Sequence, residues 1–309
     1  LISNPMREKL RQQFLDFLRF ERGLSLHTLQ AYRRDLADLH EFLQKDGELG
    51  LDKLSELSQI KHQDLRLWLG ALLQAQLKPR SIARKVSAVR CFFDYLRNQA
   101  LIDANPAQRL KLPKIGRSLP VFLKEPEVEQ LLAPERFADT FRGQRDRCLL
   151  ELLYGCGLRR SEVIALKTSD LTFNPPSLRI SGKGNKQRFV PFGPTLTEVL
   201  GSYLQWAKAE GLTLDGPLLM RENGQGLYPN LVYRIVKQQM GLAGDLPKGS
   251  PHVLRHTYAT HLLDRGADLN AIKELLGHQS LAATQVYTHN SISKLRSVHK
   301  LTHPRAEHS

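Results

Sequence analysis

The chain has 309 residues, a length typical of about two domains. Lys and Arg number 45 against 31 Asp and Glu, so the formal charge is +14. A surplus this large indicates a polyanionic partner, either nucleic acid or an anionic membrane surface. No apolar run approaches the ~18 residues of a membrane span, and the first ten residues carry charges where a signal peptide is apolar.

Cysteine usage indicates the compartment. Cys91, Cys148 and Cys156 are odd in number and form no CxxC pair. We therefore expect neither a disulfide scaffold nor a zinc finger, and a location in the reducing cytoplasm.

The first half of the chain has the apolar spacing of amphipathic helices. One stretch around Phe14 and Leu18 ends at Gly23, and a second is predicted over residues 26–43. The clearest helix is predicted over residues 79–98, where one face is apolar: Ile82, Val86, Val89, Phe93 and Leu96. The pattern predicts an N-terminal helical bundle.

The opposite face of the predicted helix 79–98 is basic. Arg80, Arg84 and Ser87 lie on it, and Lys85 and Arg90 flank it. Residues 78–117 hold ten basic residues and two acidic ones, a larger imbalance than solubility requires. We predict that these five side chains contact DNA; the alternative interpretation is an ordinary solvated helix face.

A basic, proline-rich segment divides the chain. Pro106, Pro113 and Pro120 disfavour helix, as in a linker. The predicted domains are residues 1–112 and 121–309, joined by the linker 113–120. Residues 1–115 carry 20 basic and 13 acidic groups and the remainder 25 and 18, so each part is about +7. Two basic domains suit a clamp that closes on DNA from two sides.

The second half predicts helices around a small sheet. One long helix is predicted from Glu125 to Gly155, and another opens within residues 157–162. Two short strands, 178–181 and 187–192, flank a glycine-rich turn, and the pattern is helical again afterwards. The predicted fold class is mainly α: an N-terminal helical bundle and a mainly helical C-terminal domain with a small antiparallel sheet.

Two arginines stand where a phosphate can be held. Arg159 follows a Gly-Cys-Gly turn just before a helix, and Arg255 lies one turn from His252 at a helix start. A guanidinium offers a fork of donors that suits phosphate oxygens. Glu162 would either orient Arg159 or cap the helix. The alternative interpretation is amphipathic helices with exposed polar faces.

Metal and nucleotide sites are poorly supported. His252, His256 and His261 share a predicted helix, but Val253 occupies the position of the glutamate in zinc proteases. For His256 we expect a buried structural role. The turn 182–186 does not match a nucleotide phosphate loop, so its Lys183 is expected to reach a DNA groove and protonate a leaving oxygen.

Two further candidates follow a helix that is predicted to end at Gly277. His278 comes directly after it, and Tyr287 follows nine residues later. Tyrosine has an ordinary pKa near ~10, which clustered cations would lower, favouring a nucleophilic phenolate. The alternative interpretation of Tyr287 is a core residue.

The order of these residues resembles the signature of tyrosine site-specific recombinases of the phage integrase family. The matching positions are Arg159, Lys183, His252, Arg255, His278 and Tyr287. The flanking segments GLRRSE, GKGNKQRFVP, HVLRHTYATHLL and LLGHQSLAATQVYTH, and the HPRA at 303–306, are similar to the Xer type. LSLHTLQAYRRDLADLHEFL also resembles the N-terminal DNA-binding helices of that type. The departures are small: Cys156 replaces the usual Thr, and three residues follow the HPRA.

The resemblance implies a catalytic C-terminal domain and a reaction. Tyr287 would attack a DNA phosphodiester, giving a 3′-phosphotyrosyl bond and a free 5′-hydroxyl. The implied roles are non-bridging oxygen contacts for Arg159, Arg255 and His278, general acid for Lys183, proton transfer for His252 and support for Glu162. Because the phosphotyrosyl ester keeps the energy of the broken bond, no cofactor, ATP or metal is expected.

The resemblance also implies partners. These are a double-stranded DNA recombination site, a homo- or hetero-tetramer with a related recombinase, and a division DNA translocase, with no membrane. Each subunit would lend residues 291–305 to a neighbour through Leu295, Val298 and Leu301; the alternative is packing on its own domain.

The implied role is the resolution of chromosome dimers at cell division. An integrase of a mobile element and a non-catalytic DNA-binding protein of the same fold stay open as alternatives. A chain of 309 residues leaves no room for an arm-binding domain, which favours the Xer type.

Overall fold

A computed structural model describes residues 9–46, 49–114, 121–182, 187–243, 249–277 and 297–305. The chain divides into two compact units, Leu1–Ser118 and Leu119–Ser309. The first is helical, and the second is mainly helical with a small antiparallel sheet. The predicted fold class is therefore confirmed. Within the described ranges, no helix is both long and apolar enough to cross a bilayer.

The helices of the first unit follow the predicted apolar stripes. They are α1 (Lys9–Phe20), α2 (Leu26–Asp46), α3 (Leu54–Leu57), α4 (His62–Gln74) and α5 (Pro79–Asn98). Helix α5 has the predicted bounds, because Pro79 sits in its first turn, where the missing N–H costs nothing. Its apolar stripe is fully buried, and Phe92 meets Phe14 of α1 edge to face at 5.3 Å.

Helix α4 is an element that the sequence pattern did not predict. It contributes Leu65 and Trp68 to the same core, and its N-terminus is closed by Asp64, which accepts a hydrogen bond from the Lys61 backbone N–H at 2.8 Å. Its apolar residues are too evenly spread around the helix to stand out as one stripe.

The second unit surrounds a buried central helix. Its helices are α6 (Glu125–Leu132), α7 (Phe141–Gly155), α8 (Arg160–Ala165), α9 (Pro194–Ala209), α10 (Pro229–Leu242), α11 (Pro251–Asp264) and α12 (Leu269–Leu276). Residues 148–155 of α7 are buried without a gap. Because this stretch is buried on every side, neighbouring elements pack all around it.

One predicted helix is two in the structure. The expected helix from Glu125 to Gly155 is interrupted between Leu132 and Phe141. Pro134 follows the end of α6, and the Thr140 hydroxyl accepts a hydrogen bond from Gly143 N at 3.2 Å, capping a new helix. Local capping chemistry thus overrides the continuous apolar pattern.

The sheet is antiparallel in the order β1-β2-β3. Its strands are β1 (Leu171–Phe173), β2 (Pro176–Ser181) and β3 (Gln187–Pro191), of which β1 was not predicted. Ile180 pairs with Arg188 and Leu178 with Val190. All four side chains are buried, so a charged residue, Arg188, lies on the core side of the sheet.

Candidate active site and its arginine cluster

A tight turn between α7 and α8 delivers Arg159. Gly157 has a φ of +58°, and a Cβ at this position would overlap the ring of Tyr258. Only glycine therefore fits the turn. The Gly157 carbonyl accepts a hydrogen bond from Nη1 of Arg255 at 2.6 Å, which ties the turn to α11.

Glu162 is the centre of the cluster. Its carboxylate accepts from the backbone N–H and from Nη1 of Arg159, both at 2.8 Å. It also accepts from Nη1 and Nη2 of Arg188, both at 2.9 Å, and Nη1 of Arg255 lies 3.6 Å away. Glu162 thus both caps α8 and orients Arg159, the two alternatives that the sequence left open.

Glu162 and Arg255 are both ionised at neutral pH. Burial favours the neutral form of Glu162, but the hydrogen bonds and charge of Arg188, with the bonds from Arg159, outweigh it and lower the pKa of the carboxyl. Burial and the charge of Arg159 lower the pKa of Arg255 to about 10. Arg255 therefore stays cationic at neutral pH.

The end of α12 binds three arginines, one at each of three successive carbonyl oxygens. Arg188 Nε donates to Leu275 O at 2.9 Å, Arg255 Nη2 to Leu276 O at 2.6 Å and Arg159 Nη2 to Gly277 O at 3.2 Å. The last carbonyls of a helix lack partners within it and carry partial negative charge. The arginines therefore bind this helix end and fix the residue that precedes His278.

The cluster has an outer and an inner part. The side chain of Arg159 is 37% exposed, whereas those of Arg255 and Arg188 are 10% and 7% exposed. His252 is exposed in the first turn of α11, although Arg255 one turn later is buried. Arg159 and His252 are thus open to a ligand, while Arg188 is closed to it.

Three of the predicted catalytic residues, Lys183, His278 and Tyr287, lie outside the described residues. The nearest residues of the sheet on either side of Lys183, Ser181 and Gln187, are paired across β2 and β3.

Arg188 is a member of the cluster that the sequence did not predict. A usable signal was present in the alternation along β3, because Arg188 and Val190 are two residues apart and face the same side. An arginine on the core side of a strand needs a buried acidic partner. Only the tertiary structure shows that this partner is Glu162.

The histidines of α11 differ from the expectation. His256 is half-buried rather than buried, with its ring 6.4 Å from Phe122 in an edge-to-face arrangement. The buried histidine that joins elements is His261, which bonds the Tyr154 hydroxyl at 2.9 Å and Leu123 O at 2.8 Å. Among the residues that the structure describes, no three His, Cys, Asp or Glu side chains form a group that could hold a metal.

The predicted DNA-binding residues of α5 fall into two groups in the first unit. Arg80, Arg84 and Ser87 are exposed. Lys85 is buried and paired with Asp38 and, at 3.4 Å, with Asp35. The guanidinium of Arg90 donates to the carbonyls of Ala107 at 3.1 Å and Leu110 at 2.5 Å.

Asp35 links α2 to the basic face of α5. It is 1% exposed and accepts from Nη1 of Arg84, whose side chain is 44% exposed. Burial raises the pKa of the Asp35 carboxyl against the opposing charges of Arg84 and Lys85. A pocket with a volume of about 460 Å³ lies here, lined by His27, Ala31, Arg34, Asp35, Asp38, Arg84 and Lys85.

The C-terminal helical segment, residues 297–302, packs on its own unit. His299, Thr302 and His303 are buried, and His303 lies 5.2 Å from the rings of Tyr154 and Tyr258. Leu301 is 77% exposed and Leu295 lies outside the described residues, so docking of this stripe on a neighbouring subunit stays a prediction. The buried face therefore includes two imidazole rings, of which His303 contacts the tyrosines and His299 lies 3.2 Å from Gly155 O.

Comparison with known proteins agrees with this geometry. The phage integrase family matches residues 121–294, and the phage integrase N-terminal SAM-like domain matches residues 12–100. Tyrosine recombinase XerC of Anoxybacillus flavithermus is 38% identical over 297 residues, covering 95% of this chain and 97% of that protein. Tyrosine recombinase XerD of Staphylococcus saprophyticus is 36% identical, covering 96% and 98%.

Solved structures share the fold. The XerH recombinase in a post-cleavage complex with palindromic difH substrate has a TM-score of 0.67 at 23% identity, covering 94% of this chain and 84% of that one. A lambda integrase tetramer bound to a Holliday junction has a TM-score of 0.66 at 17% identity, covering 89% and 75%.

The chain therefore belongs to the phage integrase family. Within that family it is a tyrosine recombinase of the Xer type, an enzyme that cuts DNA strands and rejoins them.

Proposed function

We propose that Tyr287 is the nucleophile of this recombinase and that it forms a 3′-phosphotyrosyl bond with DNA. The observation that carries the proposal is the convergence of Arg159 and Arg255 on Glu162 and on the end of α12. Two cations held at fixed positions stabilise the charge that develops on an attacked phosphate without reorganising during the reaction.

The other residues take roles that suit their positions. Arg159, with its exposed guanidinium, and Arg255 bind the non-bridging oxygens together with His278. Lys183 protonates the 5′-oxygen as it leaves, and His252, exposed beside Arg255, assists proton transfer. Since the phosphotyrosyl ester retains the energy of the broken phosphodiester, the same groups reseal the strand without ATP.

The first unit supplies affinity for the duplex. We assign residues 1–112 to DNA binding, 121–309 to catalysis and 113–120 to the linker between them. Arg80, Arg84 and Ser87 are exposed on one helix and suit contacts with DNA. Lys85 and Arg90 act indirectly, because their donors are already used within the unit.

The biological role follows from the relatives. Proteins named XerC and XerD match nearly the whole chain, which supports the resolution of chromosome dimers at cell division. The lambda integrase tetramer on a Holliday junction supports a homo- or hetero-tetramer on DNA. A division DNA translocase is a further proposed partner. The three free cysteines fit a place of action in the cytoplasm.

Covalent capture tests the chemistry directly. DNA cross-linked to the protein in cells identifies the target, and a duplex of that sequence with a nick beside the cleavage position traps the intermediate. We expect a covalent protein–DNA band on a denaturing gel, formed also in EDTA and absent in Tyr287→Phe. Tyr233→Phe, at an exposed tyrosine of α10, is the matched control and retains the band. A wild-type protein that binds this DNA without any covalent band would contradict the proposal.

A further inference from the structure

Arg188 joins two elements of the site that are distant in sequence. Its Nη1 and Nη2 bind the carboxylate of Glu162, and its Nε binds Leu275 O, all three at 2.9 Å. Glu162 stands three residues after Arg159, and Leu275 stands in the last turn of α12. Together with Arg255, which bridges Gly157 O and Leu276 O, Arg188 therefore sets the distance between the turn that carries Arg159 and the end of α12.

Arg188 does not act on DNA itself, because its Nε, Nη1 and Nη2 all bind acceptors within the protein. Its side chain is 7% exposed, and it lies on the core side of β3 beside Ile180 and Val190. Arg188 can therefore affect the reaction only through the groups that it binds, which are the Glu162 carboxylate and Leu275 O. Arg188 is in this respect unlike Arg159, whose guanidinium is open to a ligand.

The contacts of Glu162 show what Arg188 controls. Its Oε1 receives Nη1 of both Arg159 and Arg188, while Oε2 receives Nη2 of Arg188 and lies 3.6 Å from Nη1 of Arg255. Without the fork of Arg188, only the two bonds from Arg159 hold the carboxylate, and it can turn towards Arg255. That movement would draw Arg255 away from Gly157 O and Leu276 O, each now at 2.6 Å.

We infer that Arg188 is a positioning residue of the recombination reaction, which fixes Glu162 and the end of α12 so that Arg159 and Arg255 are presented to the phosphate. The inference rests on the proposed function of those two arginines. A lysine is not equivalent here, because three N–H donors in one plane are needed to span the carboxylate and the carbonyl.

Single-turnover cleavage of the nicked duplex measures the effect. In Arg188→Lys and Arg188→Met we expect the cleavage rate to fall by about 10²-fold, comparable to losing one transition-state donor. The DNA dissociation constant should stay within about threefold, since DNA affinity comes from phosphate contacts that Arg188 does not make. Arg179→Met is the matched control, because Arg179 is on β2, has a side chain that is 42% exposed and is paired with Asp170.

A methylphosphonate at the cleaved position separates positioning from a general loss of structure. Replacing one non-bridging oxygen with methyl removes a negative charge, so the reaction depends less on correctly placed guanidinium groups. With one of the two diastereomers, we expect the rate loss of the Arg188 variants to shrink to about tenfold or less. The ratio of the two rates within one variant does not depend on the fraction that is folded.

The outcomes separate the inference from the proposed function. If the wild type forms no covalent complex, the proposed function fails. If the wild type is active and the Arg188 variants lose the same factor on both substrates, or lose nothing, Arg188 is not a positioning residue. A loss as large in Arg179→Met would also overturn the inference.

Discussion

Arg305 donates to the carboxylate of Glu151, a side chain that is 1% exposed within the buried part of α7. Burial raises the pKa of Glu151, and the charge of Arg305 opposes this shift. This ion pair connects the C-terminal helical segment to α7, the central helix of the catalytic unit. Next to it, His303 stacks on His299 with ring centroids 4.8 Å apart.

Removal of Arg305 should destabilise the catalytic unit and release its C-terminal helical segment. Arg305→Met leaves the Glu151 carboxylate buried without a partner, a change that typically costs about 3–5 kcal/mol. Urea unfolding and limited proteolysis of residues 297–305 measure the two effects. Glu151→Gln in the same chain should restore part of the stability.

The exposed pair Arg265–Glu125 is the matched control for that experiment. Its two side chains are 41% and 38% exposed, so Arg265→Met should cost less than about 1 kcal/mol. Equal losses in the two variants would show that Glu151 does not depend on Arg305.

Packing of the C-terminal helical segment should weaken in acid. Burial lowers the pKa of His299 to about 4, and burial together with the charge of His299 lowers that of His303 as well. The ordinary histidine pKa is near ~6.5. Between these values the released segment binds protons that the packed segment does not, so lowering the pH favours release.

For His299 alone this linkage amounts to ~3 kcal/mol between about pH 6.5 and 4. The hydrogen-exchange protection factors of residues 297–305, which correct for the intrinsic pH dependence of amide exchange, should therefore fall as the pH is lowered over that range in the wild type. The double variant His299→Gln, His303→Gln should show a flatter dependence. A wild-type profile without slope there would contradict the burial of neutral histidines.

Substitutions of Arg84 and of Lys85 should have different effects, although the two residues are neighbours in the sequence. The Arg84 side chain is 44% exposed, so Arg84→Ala should weaken DNA binding and reduce the slope of log K against log salt by about one. Lys85 is 9% exposed and paired with Asp35 and Asp38, so Lys85→Met should mainly lower the stability of the first unit.

Titrations of DNA at several salt concentrations, with urea unfolding of each variant, measure both effects. Ser87→Ala is the uncharged control on the same face and should leave the salt slope unchanged. An unchanged slope in Arg84→Ala would remove Arg84 from the phosphate contacts.

Two glycines with left-handed backbone offer a test of the cluster. A Cβ at Gly277, where φ is +64°, would lie 3.0 Å from Nη1 of Arg188, whereas at Gly266, where φ is +82°, nothing lies within 4 Å. Both alanine variants carry backbone strain of about 1–2 kcal/mol. Only Gly277→Ala should also slow cleavage, because it displaces Arg188.

Melting curves and cleavage rates of the two variants separate strain from displacement. Similar stability losses with slower cleavage in Gly277→Ala alone would agree with this account. Equal cleavage rates would show that the contact of Gly277 with Arg188 has no bearing on catalysis.

Short-range pattern determined much of the fold. Helix α5 has its predicted bounds because a proline starts it and one apolar stripe runs its whole length. The split of the predicted helix 125–155 and the strand β1 were missed. Thr140 caps a helix through a single hydrogen bond, and three residues are too few for a periodic signal.

The chain's own sequence determined the class of protein, its charge and the residue types of the candidate site, because spacing along helices and the order of Arg159, Lys183, His252 and Arg255 do not depend on how the chain folds. The tertiary structure alone decided which groups meet. Arg188 and Leu275 are 87 residues apart, and no periodicity relates them. Their contact exists because β3 and α12 pack together, and a buried guanidinium must find its acceptors wherever the fold brings them.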